Sequence, residues 1–137
     1  MTENQRRKTM DKRLTFIGEI RTPYETLDQC PRNVQPDGPL CRLVLDNNFK
    51  EGLEGLLPGQ QILILYWFDG VDRTLTRQPA RGTGAPMGTF ALRSPHRPNP
   101  IGAAVLIIED IDETQVMVRG LDCLDRTPLL DIKPHTH

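Results

Sequence analysis

Aromatic side chains are scarce in this chain of 137 residues, 5% in all, so a nucleic-acid binder built on a row of stacking platforms is not indicated. An excess of one charge is missing as well. With 17 Lys and Arg against 18 Asp and Glu the formal net charge is −1, which leaves no overall field for nucleic acid. Any RNA contact must use a local basic patch, and no DNA partner is expected. No apolar run approaches membrane-spanning length, and Met1 to Arg13 lacks the apolar stretch of a signal peptide, so a cytoplasmic protein without membrane contact is expected. Cys30, Cys41 and Cys123 form no C-x-x-C pair and their number is odd, which argues for reduced thiols. The length and the 37% hydrophobic content suit one globular domain with a single core.

What the chain does have is a proline-rich stretch from Arg93 to Gly102, Arg-Ser-Pro-His-Arg-Pro-Asn-Pro-Ile-Gly. Each proline fixes its own φ and removes a donor, and each preceding residue (Ser94, Arg97, Asn99) is pushed towards extended backbone. The segment can be neither helix nor central strand, and its carbonyls are not consumed by a regular ladder. Arg93, His96, Arg97 and Asn99 supply two fixed cations, an imidazole and an amide, a set suited to an anionic or heterocyclic ligand. The structural alternative is an edge crossover stiffened by proline.

Along the chain, Met1 to Arg13 carries Arg6, Arg7, Lys8, Lys12 and Arg13 with almost nothing to bury, and reads as a disordered basic arm over residues 1–13. Leu14 to Ile20 alternates as a strand, and Tyr24 to Leu40 is a long Pro/Asp/Gly-rich loop. Cys41 to Asp46 resumes a strand. Phe49, Leu53, Leu56 and Leu57 fall at helical spacing, in a helix kept short by Gly52 and Gly55 and stopped at Pro58-Gly59. Gln61 to Phe68 is the best central strand. Val71 to Pro86, with Arg73, Arg77 and Arg81, reads as a hairpin or a lid. Thr89 to Leu92, Gly102 to Ile108, Thr114 to Arg119 and Leu129 to Ile132 read as further strands, with a tight turn at Ile111-Asp112-Glu113. The fold class predicted is mainly all-β: a single small β-barrel over residues 14–137 with one short helix and long loops.

Three tempting motifs fail on chemistry. Gly82 to Gly88 contains Pro86, lacks Gly-Lys-Ser/Thr and runs into a predicted strand, so it is no phosphate loop. His135 and His137 have no carboxylate or thiol at ligand spacing, and no metal is expected. Cys123 lies in an apolar turn with no adjacent base, which suits packing rather than nucleophilic attack.

The same segments resemble a known family. Arg93 to Gly102, preceded by Gly88-Thr-Phe-Ala-Leu and followed by Gly120-Leu-Asp-Cys-Leu-Asp-Arg-Thr-Pro-Leu-Leu-Asp-Ile-Lys-Pro, is similar to the TsaA-like (TrmO) proteins, as are Ile17-Gly-Glu-Ile-Arg-Thr-Pro-Tyr and Pro31-Arg-Asn. The resemblance implies a β-barrel that binds S-adenosylmethionine, forms a homodimer and methylates the modified adenosine beside the anticodon of certain tRNAs. It further implies cofactor contacts from Pro31, Arg32, Asn33, Asp69, Gly70, Arg93, Asp125, Arg126, Thr127 and Pro128. Arg32 or Arg93 can then pair the cofactor carboxylate, while Asp125, Thr127 and the nearby turn amides can hold a ribose hydroxyl, an adenine edge or the methionine ammonium. Without the family, Leu124 to Lys133 reads as a charged turn tied by Asp131 to Lys133 or to an arginine.

For catalysis, Asn99-Pro100 offers an amide oxygen and a constrained carbonyl to the target amine, and His96 is the alternative proton acceptor. Two positions depart from the family pattern, Asp69 where many members carry histidine and Arg126 where many carry glycine. Rival readings are methylation of a small molecule or another nucleobase, and a binding module without catalysis.

Overall fold

The structure, a computed structural model, describes residues 2, 4, 5 and 11–136. The basic residues Arg6, Arg7 and Lys8 of the expected arm lie outside the described residues. Lys12 and Arg13 are exposed, and Arg13 pairs with Asp11 at 2.9 Å.

Nine strands form: β1 (Gly18–Arg21), β2 (Leu40–Leu45), β3 (Gln61–Trp67), β4 (Arg77–Pro79), β5 (Pro86–Gly88), β6 (Ile101–Ile107), β7 (Asp110–Asp112), β8 (Gln115–Arg119) and β9 (Thr127–Pro134). Seven make one antiparallel sheet in the order β6-β3-β9-β1-β2-β8-β7, and β4 and β5 pair as a separate hairpin. The chain is all-β, as expected, but the barrel is not closed by a ladder. Its two edges, β6 and β7, are instead successive parts of one stretch of chain. Ile108 still donates its N–H to Gln60 O beside β3, whereas the N–H of Glu109 donates to Met117 O on β8. A bend between adjacent residues thus carries the strand from one edge of the curled sheet to the other.

Alternation explains the core. The inward positions of β2 (Cys41, Leu43, Leu45), β3 (Ile62, Ile64, Tyr66), β6 (Ala104, Leu106) and β8 (Val116, Val118) are buried, with Ile20 and Leu129 closing the middle. Each fully buried aliphatic side chain contributes about 1.5–3 kcal/mol relative to exposure. At one inward position only glycine fits. A Cβ on Gly102 would lie 2.6 Å from the ring of Tyr66 and 2.7 Å from that of Phe68, two rings packed edge to face at 5.3 Å.

Several local expectations are corrected. β1 begins at Gly18, and Leu14 and Phe16 are exposed; beyond Leu129 β9 continues in register with β3 and forms no ladder with the residues before Gly18. The expected helix is a 3-10 helix, Asn47–Leu53, which ends before Gly55 at φ 96°. Thr89–Ala91 is a 3-10 turn rather than a strand, since the Thr89 hydroxyl donates to Leu75 O and its N–H to Thr76 O. The tight turn sits one step later, with Glu113 at φ 57° after β7.

Because all ladders are antiparallel, the connections sort by end. The three segments 22–39, 68–100 and 120–126 leave the same end of the sheet. Residues 46–60 and the β7–β8 turn leave the other.

Candidate functional site

That sorting places every candidate cofactor-contacting and catalytic residue at one end of the sheet. Pro31, Arg32 and Asn33 lie in the first long segment; Asp69, Gly70, Arg93, His96 and Asn99 in the second; Asp125 and Arg126 in the third, with Thr127 and Pro128 opening β9. The opposite end has a cleft of about 520 Å³, lined by Ile17, Leu45, Phe49, Leu56 and Pro134 among others, which contains none of them. Its lining is mostly apolar backbone and side chain, without a convergent set of reactive groups, and it is not the candidate site.

The proline-rich segment is laced to itself. Arg97 Nη1 donates to Leu92 O and Ser94 O, both at 2.9 Å. Gln78 reaches across from β4 to donate to His96 O at 2.6 Å, and Arg73 Nε donates to Pro98 O at 2.8 Å. The carbonyls of Asn99 and Pro100 accept the N–H groups of Ile101 and Phe68. Carbonyls spared from a ladder are therefore spent on fixing the loop, and the Pro100 carbonyl offered to a substrate amine is occupied. The Asn99 side chain is different. It is exposed and engaged by no hydrogen bond among the described residues.

His96 is also committed. Its Nδ1 accepts the backbone N–H of Asp72 at 3.0 Å, which places the ring proton on Nε2 and presents a donor rather than an acceptor. Arg93 folds back to donate to Ala103 O at 3.0 Å and is exposed, near Asp122 and Tyr66.

In the third segment most polar groups hold the shape. Asp125 takes Arg21 in a two-point pair (2.9 and 3.3 Å) and accepts the N–H of Thr22. Partial burial pushes its carboxyl up, but Arg21 and Thr22 outweigh that and hold it below the usual range. The N–H groups of Asp125 and Arg126 donate to Tyr24 O and Ile20 O, and the Thr127 hydroxyl donates to Leu124 O. Arg126 itself stands at φ 69°, in the left-handed region, which gives a backbone reason for the glycine common there in the family. Of the ion pairs foreseen for this stretch, Lys133 to Asp131 forms at 3.1 Å. Gly120 anchors the segment to the first one: it is at φ 77°, and a Cβ there would collide with the carbonyl of Gln35.

One residue in the quoted motif that sequence reasoning passed over is Asp122. It is half-buried, and burial drives its carboxyl above the usual range despite a hydrogen bond from its own backbone, the Tyr66 hydroxyl and nearby Arg93. Tyr66 is 3% exposed, and burial followed by the Asp122 charge raises its phenol. A carboxylate kept partly desolvated between a phenol and an arginine is a site signature. Its only sequence signal is an aspartate between two buried residues, Leu121 and Cys123. Burial pushes the Cys123 thiol up to about 12, so it is inert packing.

The chain matches the family described as tRNA-methyltransferase O N-terminal domain over residues 19–137. It is 41% identical over 124 residues to the probable S-adenosyl-L-methionine-binding protein VirR of Rhizobium radiobacter, covering 90% of this chain and 71% of that protein. To the tRNA (adenine(37)-N6)-methyltransferase of Escherichia coli it is 34% identical over 130 residues, covering 87% of this chain and 55% of that one. A crystal structure of TrmO from Pseudomonas aeruginosa superposes with a TM-score of 0.74 at 32% identity, covering 93% of this chain and 57% of that chain. The chain thus spans little more than half the length of the named methyltransferases it matches.

Proposed function

The chain belongs to the tRNA-methyltransferase O N-terminal domain family, and on that premise we propose that it methylates the exocyclic amine of the adenosine beside a tRNA anticodon, using S-adenosylmethionine. The finer form of the proposal is that this adenosine already carries a threonylcarbamoyl group. The observation that carries the reading is the convergence of three segments, separated by tens of residues in sequence, at one end of the sheet.

The donor set suits the cofactor. S-adenosylmethionine presents an ammonium, a carboxylate, a ribose and an adenine, and when bound it supplies an electrophilic methyl group on a cationic sulfur. Asp122 offers a half-buried carboxylate for a cation, and Arg32 and Arg93 offer guanidinium groups for the methionine carboxylate. Asn33, Asp69 and Gly70 are exposed at the same end of the sheet. Asp125, Arg126, Thr127 and Pro128 shape the wall, with their polar groups largely spent on Arg21, Thr22, Tyr24 and Leu124.

An exocyclic adenine amine is a poor nucleophile because its lone pair is delocalised into the ring. Asn99 carries the remedy: its side-chain oxygen accepts a hydrogen bond from the amine, localising the lone pair, and the proton the amine then sheds passes to solvent at this exposed position. His96, held by Asp72, donates from Nε2 to a ring nitrogen or phosphate oxygen; as a proton acceptor it must first release that backbone bond.

A second copy completes the molecule. The outward face of β3 and β6 pairs Leu63 with Val105, Leu65 with Ala103 and Trp67 with Ile101, and Ile101, Val105 and Ile107 are exposed on a strand with no neighbour on its outer edge. We assign this stripe to a homodimer contact. Val105→Lys is expected to give a monomer in sedimentation; an unchanged dimer, or a monomeric wild type, removes it. No helix among the described residues is long and apolar enough to cross a membrane, and the proposed tRNA substrate accords with a cytoplasmic site of action. Residues 14–137 are taken as the catalytic domain.

The test is transfer of label from S-adenosylmethionine to RNA from cells lacking this protein, with heat-inactivated and Arg93→Ala protein as controls. Label in N6-methylated adenosine of tRNA is expected. Label on a small molecule alone, or cofactor binding without transfer, overturns the reading.

A further inference from the structure

The segment from Asp69 to Pro100 carries five arginines against two aspartates, a net of +3 in a chain whose total is −1. Within it β4 and β5 form a hairpin paired from Arg77–Gly88 to Pro79–Pro86, closed by the Ala80–Ala85 turn. Gln78 faces inward at 8% exposure, so alternation turns Arg77 to the opposite, open face. Arg81 lies on the exposed turn. Neither Arg77 nor Arg81 makes a hydrogen bond or ion pair among the described residues. Their charge is uncompensated.

Two residues past Gly88, the partner of Arg77 in the hairpin register, comes Phe90, 82% exposed in a chain with few aromatics to spare. Its backbone is fixed in the Thr89–Ala91 turn, because Thr89 is 1% exposed and its hydroxyl is bonded to Leu75 O and to Gln78. An open phenyl ring on a fixed turn, following a hairpin that carries two exposed arginines, is a combination suited to single-stranded nucleic acid: guanidinium groups for phosphates and a ring face for a base. The unit is also tied to the candidate catalytic loop, since Gln78 donates to His96 O and Arg73 to Pro98 O.

We propose that the β4–β5 hairpin with the Phe90 turn is the RNA-docking element, Arg77 and Arg81 taking backbone phosphates and Phe90 stacking on an unpaired base of the loop that holds the target adenosine. The proposal rests on the tRNA reading above and names the surface that recognises the substrate. A single exposed ring is compatible with a chain too poor in aromatics for a row of platforms.

The experiment is equilibrium binding of the full chain to an anticodon stem–loop RNA over a range of salt concentrations, with methyl transfer measured in parallel. The double variant Arg77→Ala/Arg81→Ala is expected to weaken binding at low salt and to reduce the slope of log K against log salt by about 1–2. Phe90→Ala is expected to weaken binding about tenfold with the slope unchanged, and Phe90→Trp to restore it. S-adenosylmethionine affinity stays at the wild-type value in all three. Wild-type RNA affinity in the variants, no RNA binding by the wild type, or a Phe90→Ala variant that changes only its sedimentation would each overturn the proposal. RNA binding that falls in the variants while the wild type methylates no RNA keeps the docking element and removes the methyltransferase reading. Normal methylation with an unchanged KM for RNA in the variants does the reverse.

Discussion

Two segments at the same end of the sheet, Arg93–Gly102 and Leu124–Pro128, have a similar density of polar side chains and spend them differently. The first uses Arg97, together with Gln78 and Arg73 from outside, to fix its backbone, and leaves the Asn99 amide open. The second spends Asp125 on Arg21, Thr127 on Leu124 O and its amides on Tyr24 and Ile20. A recognisable motif can thus hold ligand-facing groups in one loop and shape-keeping groups in the other, and only the partners tell them apart.

The contrast is sharpest at Asn99. Asn99→Ala is expected to lower turnover about a hundredfold while leaving S-adenosylmethionine affinity and melting temperature at wild-type values; full turnover at unchanged affinity would sink its catalytic role. Asp125→Ala should show the opposite pattern, a loss of about 2 kcal/mol of stability with activity falling only as the fold loosens. Its folded carboxyl titrates lower than the unfolded value of 3.8, so this stabilisation is complete above that pH and disappears as pH falls below it. Denaturation curves of wild type and variant are expected to converge in acid; a constant gap would mean that packing, not the Arg21 pair, holds the turn.

Asp122 and Arg126 extend the comparison with smaller effects. The Asp122 carboxyl is raised, so its charge opposes folding at neutral pH and ceases to do so below 3.8. Asp122→Asn is therefore expected to be at least as stable as wild type at pH 7, with the advantage shrinking in acid, and to bind S-adenosylmethionine more weakly by calorimetry. Unchanged affinity would return Asp122 to a structural part. Arg126→Gly relieves a left-handed backbone, and the net gain, after the greater freedom of glycine in the unfolded chain, is about 0.5–1 kcal/mol. A loss of stability there would show that the arginine side chain contributes more than the φ costs.

Much of this was legible in the residues, and the misses have definite causes. The strands at Cys41, Gln61, Gly102 and Thr114 follow from period-2 alternation, because inward and outward faces must differ. Alternation continued through Leu14 and Phe16 misled, since there β9 pairs with β3 alone and makes no ladder with them. The apolar spacing from Phe49 to Leu57 suggested an ordinary helix, but Gly52 and Gly55 weaken it to 3-10 geometry. Thr89 to Leu92 looked extended until the Thr89 hydroxyl found Leu75 O.

The sequence by itself determined an all-β chain, the proline-stiffened loop, the near-neutral overall charge and the family, because those depend on local sterics, composition and contiguous motifs. The tertiary structure alone decided which polar groups remain open. Arg21 meets Asp125 across 104 positions, Gly120 meets Gln35 across 85, and Tyr66 and Arg93 converge on Asp122. Antiparallel pairing fixes which loops share an end, and long-range partners fix which side chains are left for chemistry.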